Sequence, residues 1–170
     1  MFLDFSGVYW RMEEIRIEML EHAAIIRGCV INAMTTTERI MDFYLAKHFC
    51  KDEDKSTELL NCVFATKYIT FENKRLIFDY VTTTHKKEIK EKHLKGIHAH
   101  LERFNKERNN LAHHVMDFTK SSREHFISTQ EVTFLKFEKS REKVRYTKES
   151  AELIAKDIFK LGRNLKALFE

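Results

Sequence analysis

VYWRMEEIRIEMLEHAAIIRGCVINAMTTTERIMDFYLAKH, residues 8 to 48, is the stretch that decides the fold class. From Ile15 its apolar or small positions fall at Ile15, Met19, His22, Ile26, Cys29, Ala33, Thr36, Ile40 and Phe43, in alternating steps of four and three. That spacing returns a side chain to one face of an α-helix. The stretch reads as one long helix, or as two with a break near Gly28. Punctuation agrees, because the 170-residue chain holds four glycines and no proline, too few of the residues that tight turns draw on for a sandwich or barrel.

Downstream, Lys51 to Ser56 forms a polar loop in which Ser56 or Asp54 caps a helix from Thr57 to Thr66. Thr70 caps the next, through about Val81, and the β-branched run Thr82 to Thr84 marks a joint. A further helix spans about Lys86 to Asn109 or beyond, carrying Ile89, Leu94, Ile97, Leu101 and Phe104. The period then changes: Glu131 to Glu138 is rich in strand formers and Lys143 to Thr147 alternates charged with apolar residues, a hairpin turning around Ser140 to Glu142. Thr147 caps a last helix whose Ile154, Ile158, Leu161, Leu165 and Leu168 recur at steps of four and three. The expected class is all-α: a bundle of four to five antiparallel helices with one small β-hairpin near residues 131–147, in a single domain covering residues 1–170. No internal repeat, low-complexity tract or linker interrupts it.

Hydrophobic residues at 43% and charged residues at 33% exclude the disordered class, whose low hydrophobicity cannot offset chain entropy. Cys29, Cys50 and Cys62 show no CxxC spacing, and the start MFLDFSGVYWRMEEIR lacks a basic segment followed by an apolar one. Both features point to a cytoplasmic protein. Charged residues interrupt every apolar run before it could span a bilayer, so no membrane partner is expected. A net charge of +4 permits a polyanionic partner without demanding one.

The side chains that look chosen for chemistry lie in residues 107–114, Glu-Arg-Asn-Asn-Leu-Ala-His-His. Arg108 offers a planar fork of donors suited to phosphate, and His113 belongs to the residue type that takes or gives a proton near neutral pH. Together they point to a phosphodiester. The segment from Lys86 to Arg108 holds eight Lys/Arg and four Glu, an excess equal to the charge of the whole chain, and phosphate backbones are drawn to such a segment. Its pairs Glu88 with Lys92, Glu91 with Lys95 and Glu102 with Lys106 also describe a solvated helix face. Lys95, Arg103, Lys106 and His114 are the candidate RNA contacts. Of the histidines His93, His98, His100, His113 and His114, no two stand at zinc-ligand spacing, and only His98 with Glu102 does so. No metal site and no cofactor are expected. Glu38 and Asp42 share a helix face, a commonplace arrangement, and GxSxG, P-loop, GxGxxG and Cys-His signatures are absent.

Arg108-Asn109-x-Leu-Ala-His113, near the end of a helix in a small helical chain, resembles the R-x4-6-H motif of HEPN domains. The resemblance implies a four- or five-helix bundle, a homodimer, and in active members a metal-independent endoribonuclease serving as a toxin or in antiviral defence, some with nucleotidyltransferase-like antitoxin partners. It makes Arg108 and His113 the catalytic pair, with Asn109 the polar residue that follows the arginine. The hairpin has no counterpart in the family's common core. A non-catalytic module that binds nucleic acid or nucleotide, or that dimerises with a partner protein, is the competing expectation.

Five residues along a straight helix turn a side chain by about 140°, so Arg108 and His113 of one chain face apart while Asn109 and His113 share a side. Either the helix breaks at Asn109-Asn110, or the motifs of two copies combine across a two-fold interface. For RNA the nucleophile is the substrate's own 2′-hydroxyl, and the products are a 2′,3′-cyclic phosphate and a 5′-hydroxyl. His113 would act as base or acid and Arg108 would stabilise the charge developing on phosphorus.

Overall fold

The computed structural model describes residues 6–84, 96–136 and 142–168. They form six α-helices and one antiparallel sheet. The helices are α1 (Ser6–Phe49), α2 (Glu53–Leu59, extended by a π-helical turn at Leu60–Phe64), α3 (Phe71–Thr84), α4 (Ile97–His113), α5 (Lys120–Thr129) and α6 (Lys148–Ala167). The strands are β1 (Val115–Met116), β2 (Val132–Leu135) and β3 (Lys143–Tyr146). The predominantly helical class is as the periodicity indicated. The sheet is larger than a hairpin, because β1 lies immediately after the Arg108 motif and adds a third strand in the order β1-β2-β3. No described helix is long and apolar enough to cross a membrane.

Residues 8–48 resolve as one helix, which passes through Gly28 without a break. Its buried stripe agrees with the sequence expectation at Met19, Ile26 and Ala33, then departs from it: Thr37, Met41 and Leu45 are buried while Phe43 is 51% exposed. The cause is the mismatch between a strict 3.5-residue step and the 3.6 residues of an α-turn, a drift of about 20° per heptad that accumulates over four heptads. One helix cap also differs from the expectation. Asp52, rather than Ser56 or Asp54, caps α2 by accepting from the Lys55 amide at 3.0 Å, and Ser56 is buried instead. Thr70 and Thr147 cap α3 and α6 as expected, accepting from Asn73 and Ser150 amides. Gly96, at φ +82°, starts α4 at Ile97, so the helix expected from Lys86 does not run unbroken through that point. Residues 85–95, including Ile89, Leu94 and Lys95, lie outside the described residues, as do residues 137–141, which include Ser140 and Arg141 of the expected turn.

Two compact units make up the chain, residues 1–31 with 108–154 and residues 32–107 with 155–170. The first holds the sheet, α5 and the Arg108 motif. Strand pairing aligns Met116, Phe134 and the half-buried Val144 on one face, and Met116 and Phe134 join Val132 and Tyr146 in the apolar core of this unit, where Ile26, Val30, Leu111 and Phe126 are also buried. Asp117, just past β1, is 2% exposed and accepts from the Thr119 amide at 2.9 Å, Ser122 Oγ at 2.7 Å and Lys143 Nζ at 3.0 Å. These bonds fix the β1–α5 turn to β3. α5 ends where Gln130 adopts a left-handed conformation, φ 58°, and donates its amide to the Phe126 carbonyl.

The second unit buries Met41, Leu45, Phe78, Leu101, Phe104 and the α6 stripe Ile158, Leu161, Leu165 and Leu168. Thr37 Oγ1 donates to the Ile158 carbonyl at 3.2 Å. One turn on, a Cβ added at Gly162 would come within 3.1 Å of that same hydroxyl, so glycine permits the close approach of α1 and α6 here. Glu38 and Asp42 find their purpose in Lys74, which is buried and donates to both, at 2.6 and 2.9 Å. Burial raises the Asp42 carboxyl above its ordinary pKa, against the lowering effect of Lys74.

Two stability measurements follow. Ile158→Ala should lower the unfolding free energy by about 2–5 kcal/mol through the cavity it leaves. Burial by itself would raise the Asp117 pKa, but the bonds from Ser122, Thr119 and Lys143 outweigh it and bring the carboxyl down to about 2. A folded-state pKa below the unfolded one gives stability that is present at neutral pH and lost as pH falls from about 4 toward about 2. Urea unfolding across that range should show a loss on the order of 2 kcal/mol that Asp117→Asn lacks.

Candidate active site

Leu111, fully buried, anchors the last turn of α4, and the helix geometry then sets where its neighbours point. Arg108, Asn109 and Asn110 are half-buried, Ala112 and His113 exposed. The Asn109-Asn110 pair does not break the helix: α4 continues to His113, and the His114 amide still donates to the Asn110 carbonyl at 3.1 Å. Of the two alternatives left open by the spacing, a break within the motif is therefore excluded. Arg108 and His113 of one chain remain about 140° apart around an unbroken helix.

Arg108 Nη1 donates to Asn109 Oδ1 at 2.9 Å. The amide oxygen is thereby oriented toward the guanidinium, and the Asn109 NH2 group is left as a donor. The end of the motif is clamped from outside the helix. Arg27 of α1 donates from Nη2 to the His114 carbonyl at 2.8 Å, and its guanidinium lies over the Phe134 ring of β2 at 5.0 Å. Val115 then pairs with Leu135. His113 is thus an exposed imidazole on a short segment whose following carbonyl and strand are both held, a placement that limits its backbone freedom.

His114 differs from its neighbour. It is 8% exposed, so its ring is withdrawn from the surface where an RNA contact was expected. Arg103 and Lys106 are exposed on α4, and Arg103 stands 3.5 Å from Asp157. Lys95 is outside the described residues. His98, the one histidine at ligand spacing from Glu102, faces α3 instead, with Nδ1 3.3 Å from Asp79 and Nε2 3.3 Å from Thr82 Oγ1. Among the described residues no three His, Cys, Asp or Glu side chains are grouped to hold a metal ion.

Three arrangements around the motif were not legible beforehand. Arg27 carries no local signal, because its partners are 87 residues away or more. His125 Nε2 meets Glu131 Oε2 at 2.6 Å across the end of α5, a helix without a sequence expectation. His22 stands edge-on to Phe126 at 5.1 Å, and burial, followed by nearby Lys148, pushes its pKa below the ordinary value. Comparison of the chain with family models, curated proteins and solved structures finds no match.

Because His113 is exposed and Arg108 bonds only within its own turn among the contacts described above, alanine at either position should leave the unfolding free energy within about 1 kcal/mol of the parent. Leu111→Ala should cost about 2–5 kcal/mol. Chemical denaturation of the three variants checks the contrast, and an unfolded His113→Ala protein would assign the histidine to structure.

Proposed function

We propose that this chain is a metal-independent endoribonuclease whose chemistry is carried by Arg108, Asn109 and His113, acting across the interface of a homodimer. The observation that carries the proposal is the intact Arg-Asn-x-Leu-Ala-His run on an unbroken helix. An arginine and a histidine suited to one phosphodiester face apart in each copy, and a two-fold pairing of copies can bring the arginine of one to the histidine of the other. The resemblance to HEPN domains supports the same arrangement. The toxin or antiviral role and the nucleotidyltransferase-like antitoxin partner rest on that resemblance alone.

In the proposed reaction an imidazole removes the proton of the 2′-hydroxyl, the oxygen attacks the adjacent phosphorus, and the 5′-oxygen leaves after receiving a proton. His113 serves as the base or as the acid. Arg108 holds the phosphate and stabilises the additional negative charge of the pentacovalent state through charge-assisted hydrogen bonds. Asn109, oriented by Arg108, donates its NH2 group to the phosphate or to the imidazole. Arg103 and Lys106 attract the RNA backbone. DNA lacks the nucleophile and does not react.

Cleavage of single-stranded RNA by the purified chain should persist in EDTA, leave 2′,3′-cyclic phosphate ends, and change in rate across the pH range where imidazoles titrate. Arg108→Ala and His113→Ala should each slow it by about a hundredfold or more. A 2′-O-methyl group at the cleaved position should abolish reaction at that bond. Binding of RNA without cleavage would favour the non-catalytic module instead, and cleavage surviving both substitutions would place the chemistry elsewhere.

A further inference from the structure

The outward face of α1 within the first unit carries an apolar stripe that is exposed among the described residues. Its inward face buries Met19, Ala23, Ile26 and Val30, yet Ile17, Leu20 and Ile25 are 51%, 50% and 44% exposed. Ala24 and Gly28 are exposed beside them and Ile31 is half-buried. Gly28 sharpens the point. It sits inside a 44-residue helix, where glycine is destabilising relative to alanine, and a Cβ built on it meets nothing within 4 Å. Among the described residues nothing uses the space that this glycine leaves open.

The order of residues on this face says what fits it. Ile17, Leu20, Ala24, Gly28 and Ile31 follow one another at steps of three, four, four and three, a spacing that is the same in both directions about Ala24. Laid antiparallel on a copy of itself, the face sets Leu20 over Gly28, Ala24 over Ala24 and Ile17 over Ile31, large against small at the centre and apolar against apolar at the ends. The flanking charges select the same direction. Residues 13–21 hold Glu13, Glu14, Glu18 and Glu21 against one arginine, whereas residues 22–31 hold no acid and carry Arg27. An antiparallel pairing brings the acidic end of each copy to the acid-free end of the other, and a parallel one stacks glutamates on glutamates.

We propose that the outer face of α1 from Ile17 to Ile31 docks a second copy of this chain, antiparallel, with the two-fold axis at Ala24. The contact is isologous and runs about 21 Å along the helix. Arg27, less than one turn from Ala24, holds the His114 carbonyl. The same axis therefore lies near the end of the Arg108 motif in each copy. That last step rests on the proposed ribonuclease reading; the docking face does not.

Sedimentation equilibrium of the full chain tests it. The parent should have about twice the 20.4 kDa chain mass at micromolar concentration. Gly28→Glu should raise the dimer dissociation constant at least about a hundredfold, with the helical circular-dichroism signal of the fold retained because within one chain the new side chain meets only open space. Leu20→Glu should act likewise, and Leu153→Glu, at a site 63% exposed elsewhere in the same unit, should leave the dimer intact. With Cys29, Cys50 and Cys62 replaced by serine, Ala24→Cys should cross-link to its own copy on oxidation and Ile17→Cys should not. A parent monomeric at about 100 µM, a dimer indifferent to both glutamates, or Ile17→Cys self-linking would overturn the proposal. Since the readout is mass, a dimer disrupted by Gly28→Glu but inert toward RNA keeps the docking face and removes the catalytic reading. RNA cleavage by a monomeric parent would remove both the docking face and the two-copy site, whereas a parent that is monomeric and inert toward RNA removes the docking face and leaves the two-copy chemistry without its dimer.

Discussion

Arg27 to the His114 carbonyl, at 2.8 Å, is the interaction on which the candidate site depends. The last carbonyls of a helix have no partner within it, and α4 ends where the chain enters β1, the edge strand of the sheet. Arg27 supplies the donor and stacks on Phe134, so one side chain of α1 joins the end of α4 to β2. The clamp carries a cost, since Arg27 Nε is buried with no acceptor among the described residues. Its yield is a fixed exit for the chain after His113, which becomes β1 two residues later.

Where the sequence was informative, a single element sufficed to determine the answer. The α6 stripe was legible because the helix supplies its own period and Thr147 caps it with a side chain three residues from Ser150. The long α1 was legible as a helix but not as a face, because a fixed step of 3.5 drifts off the true turn and exchanges Phe43 for Met41 and Leu45. β1 is two residues long and exists through pairing with β2, so no local pattern announces it. α5 lacks a sustained apolar stripe, with Phe126 its one large buried residue and Ile127 57% exposed; its start depends on Thr119 and on the Asp117 network drawn from β3.

The site divides in the same manner. Arg108, Asn109 and His113 could be picked out because their residue types and order carry chemical meaning within six positions. What those residues do with their neighbours could not. The sequence offered His113 for catalysis and His114 for RNA contact, and the structure leaves the first exposed and the second at 8% exposure. Glu38 and Asp42 looked like an ordinary acidic face until α3 supplied Lys74. In each case the deciding partner comes from a distant part of the chain, where composition and period carry no information about registration.

The proposed account turns on whether Arg108 and His113 act from different copies. Mixing the Arg108→Ala and His113→Ala proteins under conditions of subunit exchange measures this directly. If each site takes its arginine from one copy and its histidine from the other, every mixed dimer holds one intact and one doubly deficient site. An equimolar mixture should then recover roughly a quarter of the parent RNA-cleaving activity from two proteins that are each nearly inactive. If both groups act within one copy, or if neither is catalytic, mixing adds nothing to the separate activities, and that result would contradict the account.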